Sequence, residues 1–395
     1  MYRASTRTAF RFRLSSWDGS APIAWSFLIS RAAFLLGAIL GSLVIPEATA
    51  EPARVNLGGP HVLSALWRWD AVHYYTIAVD GYAWPGLTAF FPVFPLLIRT
   101  IAWLLSLGQT MPSWSVLTAG ILISQLAALA GLAAVYALAR QYADRGVATR
   151  AVLLIALFPF AFIYVTPHTE ALFLALSAGA FLLTRRDHWL GAGMCAALAG
   201  ATRPVGILIV PALLAEALTR RRLLAPRVFT GLALAPLGFL GYACYLWSRF
   251  GDPLLFAEVQ RTEWRREVLF PLQTLYRGVR YALHPAWSES PSVWARGILH
   301  LIVVIGAIVL TILWWRRWSV AERVYVGLTL IAVLWTPLGG GWTMHGMGRY
   351  LAVLFPLYQP IAAWTASPRV LIVVLGIWVS LFVLFSALYI QWYAA

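Results

Sequence analysis

Long uninterrupted runs of apolar residues constrain the fold of this chain more than any other feature. A helix of about 20 apolar residues crosses the roughly 30 Å hydrocarbon core of a bilayer, and the run over about 113–139 is long enough to do so. Of the 395 residues only 11% are charged, whereas soluble domains carry about 25%. The sequence therefore predicts an all-α polytopic membrane protein with a single transmembrane domain, residues 1–395.

Eleven apolar segments are predicted to span the membrane. The first is longer than the apolar core of a signal peptide, about 7–15 residues, so we expect it to stay uncleaved despite the sequence Ala48-Thr49-Ala50. The segment 87–108 is interrupted by Pro92, Pro95 and Arg99, and we predict that it is re-entrant or interfacial. The predicted spans are approximately 22–45, 113–139, 151–165, 169–184, 189–202, 205–219, 228–248, 293–315, 323–338, 348–366 and 369–392.

The basic residues, all of them arginine, set the predicted orientation. If 87–108 does not cross, the N-terminal arm and the short Arg-bearing loops lie on one side, which the positive-inside rule assigns to the cytoplasm. The outer side then receives about 46–112 with its interfacial helices, about 249–292, and Gly339–Tyr350. The arginines concerned are Arg3, Arg7, Arg11 and Arg13 in the arm, and Arg140, Arg145, Arg150, Arg185, Arg186, Arg220, Arg221, Arg222, Arg227, Arg316, Arg317 and Arg369 in the loops.

Charge and cysteine patterns argue against several classes of protein. The net charge is +15, but the arginines are scattered between apolar spans instead of forming the basic stripe of a nucleic-acid-binding surface. Cys195 and Cys244 lie within apolar segments, which argues against a disulfide framework or a zinc site. We find no internal repeat and no glycine-rich nucleotide-binding motif.

The stretch Trp67-Arg68-Trp69-Asp70-Ala71-Val72-His73-Tyr74-Tyr75 concentrates groups that can perform chemistry. If 67–78 is helical, Asp70 and His73 lie three residues apart on one face, with Tyr74 beside them. A carboxylate in aromatic, partly dry surroundings can be poised to accept a proton. The alternative is an interfacial helix that its tryptophans anchor, with Asp70 solvated or paired with Arg68.

Glu170 opens an apolar span, where a carboxylate is costly and is usually retained for function or for pairing. The alternative is an acidic residue of the first turn that the helix dipole favours. His168 either binds sugar or phosphate or is an ordinary interfacial histidine.

Arg203 and Arg349 are predicted at the outer side, where they either bind a phosphate or extend toward lipid headgroups. Arg31 lies inside the first span, with no nearby helix end to reach. The amphipathic segment Glu258–Arg280 predicts one or two interfacial helices. We interpret it as a surface belt, the alternative being a wall of an acceptor site.

Several short motifs together resemble the PIG-V family, the GPI mannosyltransferase II proteins and their prokaryotic relatives. The sequence departs from the family pattern in two places. Pro204-Val205 occupies the position of Ser-Asn in the family's Arg-Ser-Asn-Gly element, and His168-Thr169 replaces the family's Tyr-Ser. The first half of the chain carries most of the likeness. The motifs are Trp69-Asp70, His73, Gly81-Tyr82, Phe90-Phe91-Pro92-Val93-Phe94-Pro95, Ser30-Arg31, Phe158-Pro159-Phe160, Thr169-Glu170-Ala171-Leu172-Phe173, Thr202-Arg203-Pro204-Val205-Gly206, Arg349-Tyr350 and Pro356.

This resemblance implies a GT-C type membrane glycosyltransferase that transfers mannose from a polyprenyl-phosphate carrier at the outer membrane face. The acid early in the first outer loop is then the expected catalytic base, here Asp70, with Asp80 as the other candidate. A single lipid phosphate needs cationic donors but no obligatory metal, so we predict neither a metal nor a cofactor. The residues expected to contact substrate are Arg31, Trp69, His73, Asp80, His168, Glu170, Arg203, His345 and Arg349.

Two other functions remain open at this point. A transporter or flippase of a lipid-linked saccharide would show internal repeats and broken helices near mid-membrane, and a structural membrane protein would need no acidic and basic cluster on one side. The expected partners are a polyprenyl-phosphate sugar, a lipid or glycan acceptor and membrane lipids, without nucleic acid. The expected location is the plasma membrane if the chain is prokaryotic.

Overall fold

The computed structural model describes residues 18–48, 57–284 and 291–393, and the predicted basic arm and Thr49-Ala50 lie outside these ranges. Helices dominate the described residues. The α-helices are α1 Ser20–Val44, α2 His61–Ser64, α3 Asp70–Asp80, α4 Val93–Leu105, α5 Ser113–Ala139, α6 Arg145–Ala156, α7 Thr169–Arg185, α8 Trp189–Gly200, α9 Ile209–Thr219, α10 Pro226–Leu234, α11 Leu237–Phe250, α12 Leu255–Thr262, α13 Pro271–Leu283, α14 Pro291–Trp314, α15 Val320–Trp335, α16 Met347–Ala352, α17 Tyr358–Trp364 and α18 Pro368–Ile390.

Five helical segments of the described chain are long and apolar enough to cross a bilayer. One of them is formed by α10 and α11 in succession. Together with the fold, these segments identify an integral membrane protein. Because the other apolar helices are shorter, the predicted total of eleven spans stays a prediction. The five segments are Ser20–Val44, Ser113–Ala139, Pro226–Phe250, Val293–Trp314 and Pro368–Ile390.

Two of the predicted spans are broken. Over 348–366 the chain forms α16, a 3-10 turn at Phe355–Leu357 and then α17. Over 151–165, α6 ends at Ala156 and a 3-10 helix follows at Pro159–Tyr164. Proline starts or interrupts these short elements because it lacks the N–H that continues a helix. The breaks bring helix ends, instead of helix middles, to the polar centre of the protein.

Close contact between α1 and α18 ties the two ends of the chain together. A Cβ atom on Gly37 would overlap the backbone oxygen of Val383, and one on Gly41 would lie 2.6 Å from the backbone oxygen of Ala387. Small residues allow such approach between membrane helices, where dispersion contacts replace the hydrophobic effect as the driving force. The pair therefore needs glycine at these two positions.

The segment that the sequence predicts as the first outer one packs onto the helix bundle. Trp67 is fully buried, and a Cβ atom on Gly120 of α5 would overlap its ring. The Tyr75 hydroxyl donates to Ser113 at the start of α5. The next helix, α4, has 13 residues, which is about 20 Å and too short to cross a bilayer alone.

The predicted amphipathic segment 258–280 forms a pair of short helices, α12 and α13. Between them, residues 265–269 run antiparallel to residues 335–339. The amides of Glu267 and Leu269 donate to the carbonyls of Pro337 and Trp335, at 2.9 and 3.0 Å. This backbone pairing fixes the position of the side chains at 265–269.

Candidate functional site

Four side chains of the predicted site meet in one ion-pair network. Arg349 Nη2 lies 2.8 Å from Asp70 Oδ2 and 2.7 Å from Glu170 Oε1. Arg203 Nη1 lies 2.6 Å from the same Glu170 oxygen. Two carboxylates and two guanidinium groups balance each other in charge, so the network is formally neutral.

Each of the four residues stands at or near the end of a helix. Asp70 is the first residue of α3, Glu170 is the second of α7, and Arg349 is the third of the short helix α16. Arg203 precedes the 3-10 helix Pro204–Leu208. Helix ends let polar side chains from distant segments converge without interrupting the apolar middle of a span.

The backbone at Trp69 determines where α3 begins. The spacing argument supposes a helix over 67–78, but Trp69 has φ 55° and ψ −127°, so α3 starts at Asp70. These angles belong to the first central position of a type II′ turn, which glycine normally occupies. A bulky residue there is strained, and such strain tends to occur at functional sites.

Asp70 is ionised and partly exposed. Burial raises the pKa of its carboxyl, but the charge of Arg349, the hydrogen bond from Arg349 and the nearby His168 ring together outweigh burial, and the pKa lies below its usual range. The side chain keeps 29% of its surface exposed. Among the described residues, the hydrogen bonds to Asp70 involve Oδ2 alone. Oδ1 is therefore free to accept a proton from an incoming hydroxyl.

Glu170 is fully buried and binds both arginines through one oxygen. Oε1 accepts from Arg203 Nη1, from Arg349 Nη2 and from Arg349 Nε at 3.0 Å. Oε2 is buried and lacks a partner within the described part of the chain. An unpaired buried oxygen is costly, and Oε2 keeps an unused capacity to accept a hydrogen bond.

His168 and Thr169 line the same centre. His168 is buried, its Nδ1 lies 3.0 Å from Thr166 Oγ1, and burial lowers the pKa of His168 to about 4, so the ring is neutral at physiological pH. Thr169 Oγ1 receives hydrogen bonds from Arg203 at 3.2 Å and from the Tyr74 hydroxyl at 3.4 Å. The helical spacing had predicted that Tyr74, like His73, lies beside Asp70.

His73 lies beside Asp70 in an aromatic setting. Its ring stacks on Phe90 at 4.6 Å between centroids and meets Trp264 edge-on at 5.4 Å. Burial lowers the pKa of His73, against opposing effects of Asp70 and Glu263. The ring is therefore neutral, and its stacking makes it part of an aromatic wall next to the carboxylate.

The structure places the other predicted residues at or beyond the edge of this centre. Asp80 is exposed at the far end of α3, ten residues or about 15 Å along the helix from Asp70. Arg31 is held by Gln125 Oε1 at 2.9 Å and by the Tyr164 carbonyl at 3.1 Å, which answers how an arginine is accommodated inside a span.

His345 and Trp69 complete the predicted set. The His345 ring lies 4.5 Å from that of Trp342 and 5.7 Å from that of His300. The Trp69 ring lies 6.2 Å from that of Trp392, near the end of the described chain. The alternative pairing of Asp70 with Arg68 is wrong, because Asp70 pairs with Arg349 while Arg68 donates to the Ile390 carbonyl.

Sequence reasoning assigned no role to three residues that the structure places here, although Tyr350 belongs to the Arg349-Tyr350 motif. The Tyr350 ring lies between Arg203 and Arg266, whose Cζ atoms stand 5.0 and 5.5 Å from its centroid. His300 Nδ1 accepts the Gly348 amide at 3.1 Å, which fixes the backbone next to Arg349. Arg266 falls in a segment with many charges, and no local pattern distinguishes it from its neighbours.

A cavity of about 440 Å³ adjoins the network on the side of Pro204 and Tyr350. Most of its lining is apolar, with Leu208, Phe256 and Val333 among the contributors. Ligand sites of proteins commonly have volumes of about 300–1,000 Å³. The site thus combines an ionic centre with an apolar chamber beside it.

Within residues 18–48, 57–284 and 291–393, no group of three or more His, Cys, Asp or Glu side chains is placed to hold a metal ion. Asp70 and Glu170 instead have arginine partners. The expectation of metal-free chemistry stays a prediction, since it concerns the reaction.

Comparison with known proteins bears on this geometry. Residues 35–221 match the PIG-V mannosyltransferase family. The matched part includes Asp70, Glu170 and Arg203 but ends before Arg349. The predicted resemblance to the PIG-V family is thereby confirmed for these residues. A search of curated protein sequences found no match.

Solved structures give the fold. The chain is similar to ArnT from Cupriavidus metallidurans, a GT-C glycosyltransferase, with a TM-score of 0.50, 14% identity and 88% of this chain covered. It spans 61% of the length of ArnT. The apo oligosaccharyltransferase of Archaeoglobus fulgidus gives a TM-score of 0.47 at 15% identity, over 95% of this chain and 57% of that one. The likeness to ArnT, over 88% of this chain, gives the chain a GT-C-like fold.

Proposed function

We propose that this protein is a glycosyltransferase that transfers mannose, with inversion, from a polyprenyl phosphate to a hydroxyl group of a lipid or glycan acceptor. The observation that carries this proposal is the single network of Asp70, Glu170, Arg203 and Arg349 beside an apolar cavity. The PIG-V match supports mannose as the sugar. ArnT, which has a similar fold, binds undecaprenyl phosphate in its crystal structure, and this supports a lipid phosphate donor.

Asp70 acts as the general base in this proposal. Its Oδ1 takes the proton of the acceptor hydroxyl while that oxygen attacks the anomeric carbon, and the bond from this carbon to the phosphate oxygen breaks. A positioned base is typically worth about 10²–10⁴-fold in rate. Because Arg349 holds Oδ2, the carboxylate is both ionised and oriented.

Glu170 keeps the two arginines in place, and its Oε2 accepts a hydrogen bond from a hydroxyl of the bound sugar. Arg203 and Arg349 supply positive charge where negative charge develops on the departing phosphate. His73, Trp69 and His168 form the walls that exclude water. We place the reaction at the non-cytoplasmic face, where the positive-inside rule puts the predicted outer segments. If the protein is prokaryotic, the membrane is the plasma membrane.

The test is transfer of labelled mannose from polyprenyl-phosphate mannose to endogenous lipids and glycans in membranes that contain the protein. Asp70→Asn is expected to reduce transfer at least about 100-fold, within the usual range for a general base. Asp80→Asn changes the exposed carboxylate of the same helix and is expected to have little effect. Equal transfer by wild type and Asp70→Asn would remove Asp70 from the role of base.

The competing function is transport of a lipid-linked saccharide across the membrane. Broken segments such as α16–α17 are a feature of transporters, and this observation favours it. A flippase would move labelled polyprenyl-phosphate mannose between the leaflets of proteoliposomes and leave its sugar–phosphate bond intact. Release of free polyprenyl phosphate, coupled to labelling of an acceptor, is expected instead.

A further inference from the structure

Tyr350 contacts both the ionic centre and the wall of the cavity. Arg203 stands over its ring on the side of Glu170, while Arg266 donates from Nη2 to the Tyr350 hydroxyl at 2.7 Å. Arg266, Tyr350 and Pro204 all contribute to the cavity wall. The cavity therefore has a polar end, formed by Arg266 and Tyr350, next to the network that contains Asp70.

Arg266 differs from the arginines of the ionic centre in its charge environment. Arg203 and Arg349 are each within 2.8 Å of a carboxylate oxygen. Arg266 has hydrogen bonds to Gln260, Thr336 and Tyr350, all neutral, and among the described residues no carboxylate lies within ion-pair distance of it. Its positive charge is therefore unbalanced.

Glu267, the acidic residue on the cavity wall, does not balance the charge of Arg266. Glu267 lines the cavity, but its Oε2 is paired with Arg277. Arg261 also reaches the wall. The cavity wall is thus mostly apolar and carries the charge of Arg266, which together complement an apolar chain with an anionic head.

The hydrogen-bonding capacity of Arg266 is only partly used. A guanidinium group has five N–H donors. Three of them are accounted for, by Nε to Gln260 at 2.8 Å, Nη1 to the Thr336 carbonyl at 2.6 Å, and Nη2 to Tyr350. One N–H on each terminal nitrogen remains, and guanidinium donors match the oxygens of a phosphate.

The position of Arg266 is fixed by the backbone. On either side of it, the Glu267 amide donates to the Pro337 carbonyl at 2.9 Å and the Arg265 carbonyl accepts the Gly339 amide at 2.8 Å. A guanidinium that is held by its backbone and by three side-chain hydrogen bonds is preorganised, so little conformational entropy is lost when a ligand binds.

We propose that Arg266 binds the phosphate of a prenyl phosphate and that the cavity lined by Leu208, Phe256 and Val333 receives the first part of its prenyl chain. This inference rests on the proposed function, because it names the binding residue for the donor of that reaction. Arg266 lies outside residues 35–221, the part that matches the PIG-V family.

The proposal assigns a place to each product of the transfer. When the anomeric carbon–oxygen bond breaks, its electron pair stays on the phosphate oxygen, and the singly charged phosphodiester becomes a doubly charged prenyl phosphate. The acceptor proton passes to Asp70. Arg266 then holds the additional negative charge, whereas the sugar leaves on the acceptor oxygen.

Direct binding tests this assignment apart from catalysis. The protein purified in detergent is titrated with farnesyl phosphate, with farnesol and with inorganic phosphate, and ligand binding is followed by calorimetry. For Arg266→Gln we expect the Kd for farnesyl phosphate to rise about tenfold, in line with loss of one charge-assisted interaction. Farnesol, which lacks the phosphate, should bind both proteins equally weakly.

Arg265→Gln is the matched control, because it removes the same charge from the adjacent, exposed position. It should leave the Kd for farnesyl phosphate unchanged. An equal loss in both variants would mean that general surface charge, and not Arg266, attracts the ligand. Displacement of farnesyl phosphate by equimolar phosphatidylglycerol would identify the cavity as a site for ordinary anionic lipid and overturn the proposal.

Kinetics separate a failure of this inference from a failure of the proposed function. If wild type transfers mannose and Arg266→Gln raises the KM for the donor while kcat changes less, both stand. If Arg266→Gln raises the KM for the acceptor alone, the assignment of Arg266 is wrong and the transferase remains. If farnesyl phosphate binding depends on Arg266 but no sugar is transferred, the binding site stands and the transferase does not.

Discussion

Arg349 Nη2 lies 2.8 Å from Asp70 Oδ2, across a separation of 279 residues in the chain. The same nitrogen lies 2.7 Å from Glu170 Oε1. One guanidinium group therefore contacts both carboxylates at once, while Arg203 supplies the second cation at Glu170. The catalytic assignment of Asp70 depends on this contact, since it leaves Oδ1 available for the acceptor.

Arg349→Lys tests the geometry of that contact. Lysine keeps the charge, but its single ammonium group cannot reproduce the separate hydrogen bonds from Nε and Nη2. We expect kcat/KM to fall by at least about tenfold, equivalent to ~1.4 kcal/mol of transition-state stabilisation. Steady-state transfer assays measure this, and unchanged kinetics would show that charge alone suffices at residue 349.

Glu170→Gln is expected to destabilise the fold as well as lower activity. The substitution leaves Arg203, which is 8% exposed, without its carboxylate partner. Breaking a buried ion pair on one side costs about 3–5 kcal/mol. Thermal unfolding in detergent should occur at a clearly lower temperature, whereas Glu258→Gln, at an exposed position of α12, should unfold like wild type.

The pH dependence of transfer follows from the direction of two pKa shifts. Asp70 has a pKa below its usual value of about 4, and His73 has one below about 6.5. Neither group then changes its charge between about pH 6.5 and 8. We expect kcat/KM to be flat in that window and to fall only in acid. An inflection near neutral pH that disappears in His73→Asn would contradict this.

The stability of the fold should also decrease in acid, as the activity does. A carboxyl whose pKa is lowered on folding contributes stability above its unfolded pKa, about 4, and this contribution is lost as the pH falls through the folded value. The ion pair of Asp70 with Arg349 is thus fully present at neutral pH. Asp70→Asn should remove part of the acid-induced loss of stability, which denaturation between pH 3 and 7 would measure.

Gly348→Ala tests how precisely Arg349 must be placed. A Cβ atom on Gly348 would overlap the Phe160 ring, and His300 holds the Gly348 amide from the other side. The backbone must shift, and a misplacement of about 1 Å can cost roughly 100-fold in rate. Gly376→Ala in α18, where an added Cβ would meet nothing within 4 Å, should keep full activity.

These two glycine variants test whether the exact position of Arg349 matters for activity. If Gly348→Ala folds and retains wild-type kcat/KM, then the tight packing of α16 against Phe160 serves the fold and not the site. If both glycine variants lose activity together, the overlap with Phe160 is not the cause and the placement argument is wrong.

Several features were determined by the sequence alone. Apolar runs such as 113–139 predict membrane helices because the bilayer demands a minimum length and internally satisfied backbone groups. The cost of a carboxylate in apolar surroundings marks Glu170, and the aromatic surroundings mark Asp70. These are local properties, and each is visible within a few residues.

Only the tertiary structure decided which charges meet. The start of α3 at Asp70 depends on the turn at Trp69, which a helical pattern does not reveal. Arg349 pairs with Asp70, and does not reach lipid headgroups, because segments hundreds of residues apart in the chain come together. The surroundings of Arg266 depend on two short stretches that are paired by backbone hydrogen bonds. Electrostatic partners are set by distance in space, to which spacing along the chain gives no guide once helices break and turn.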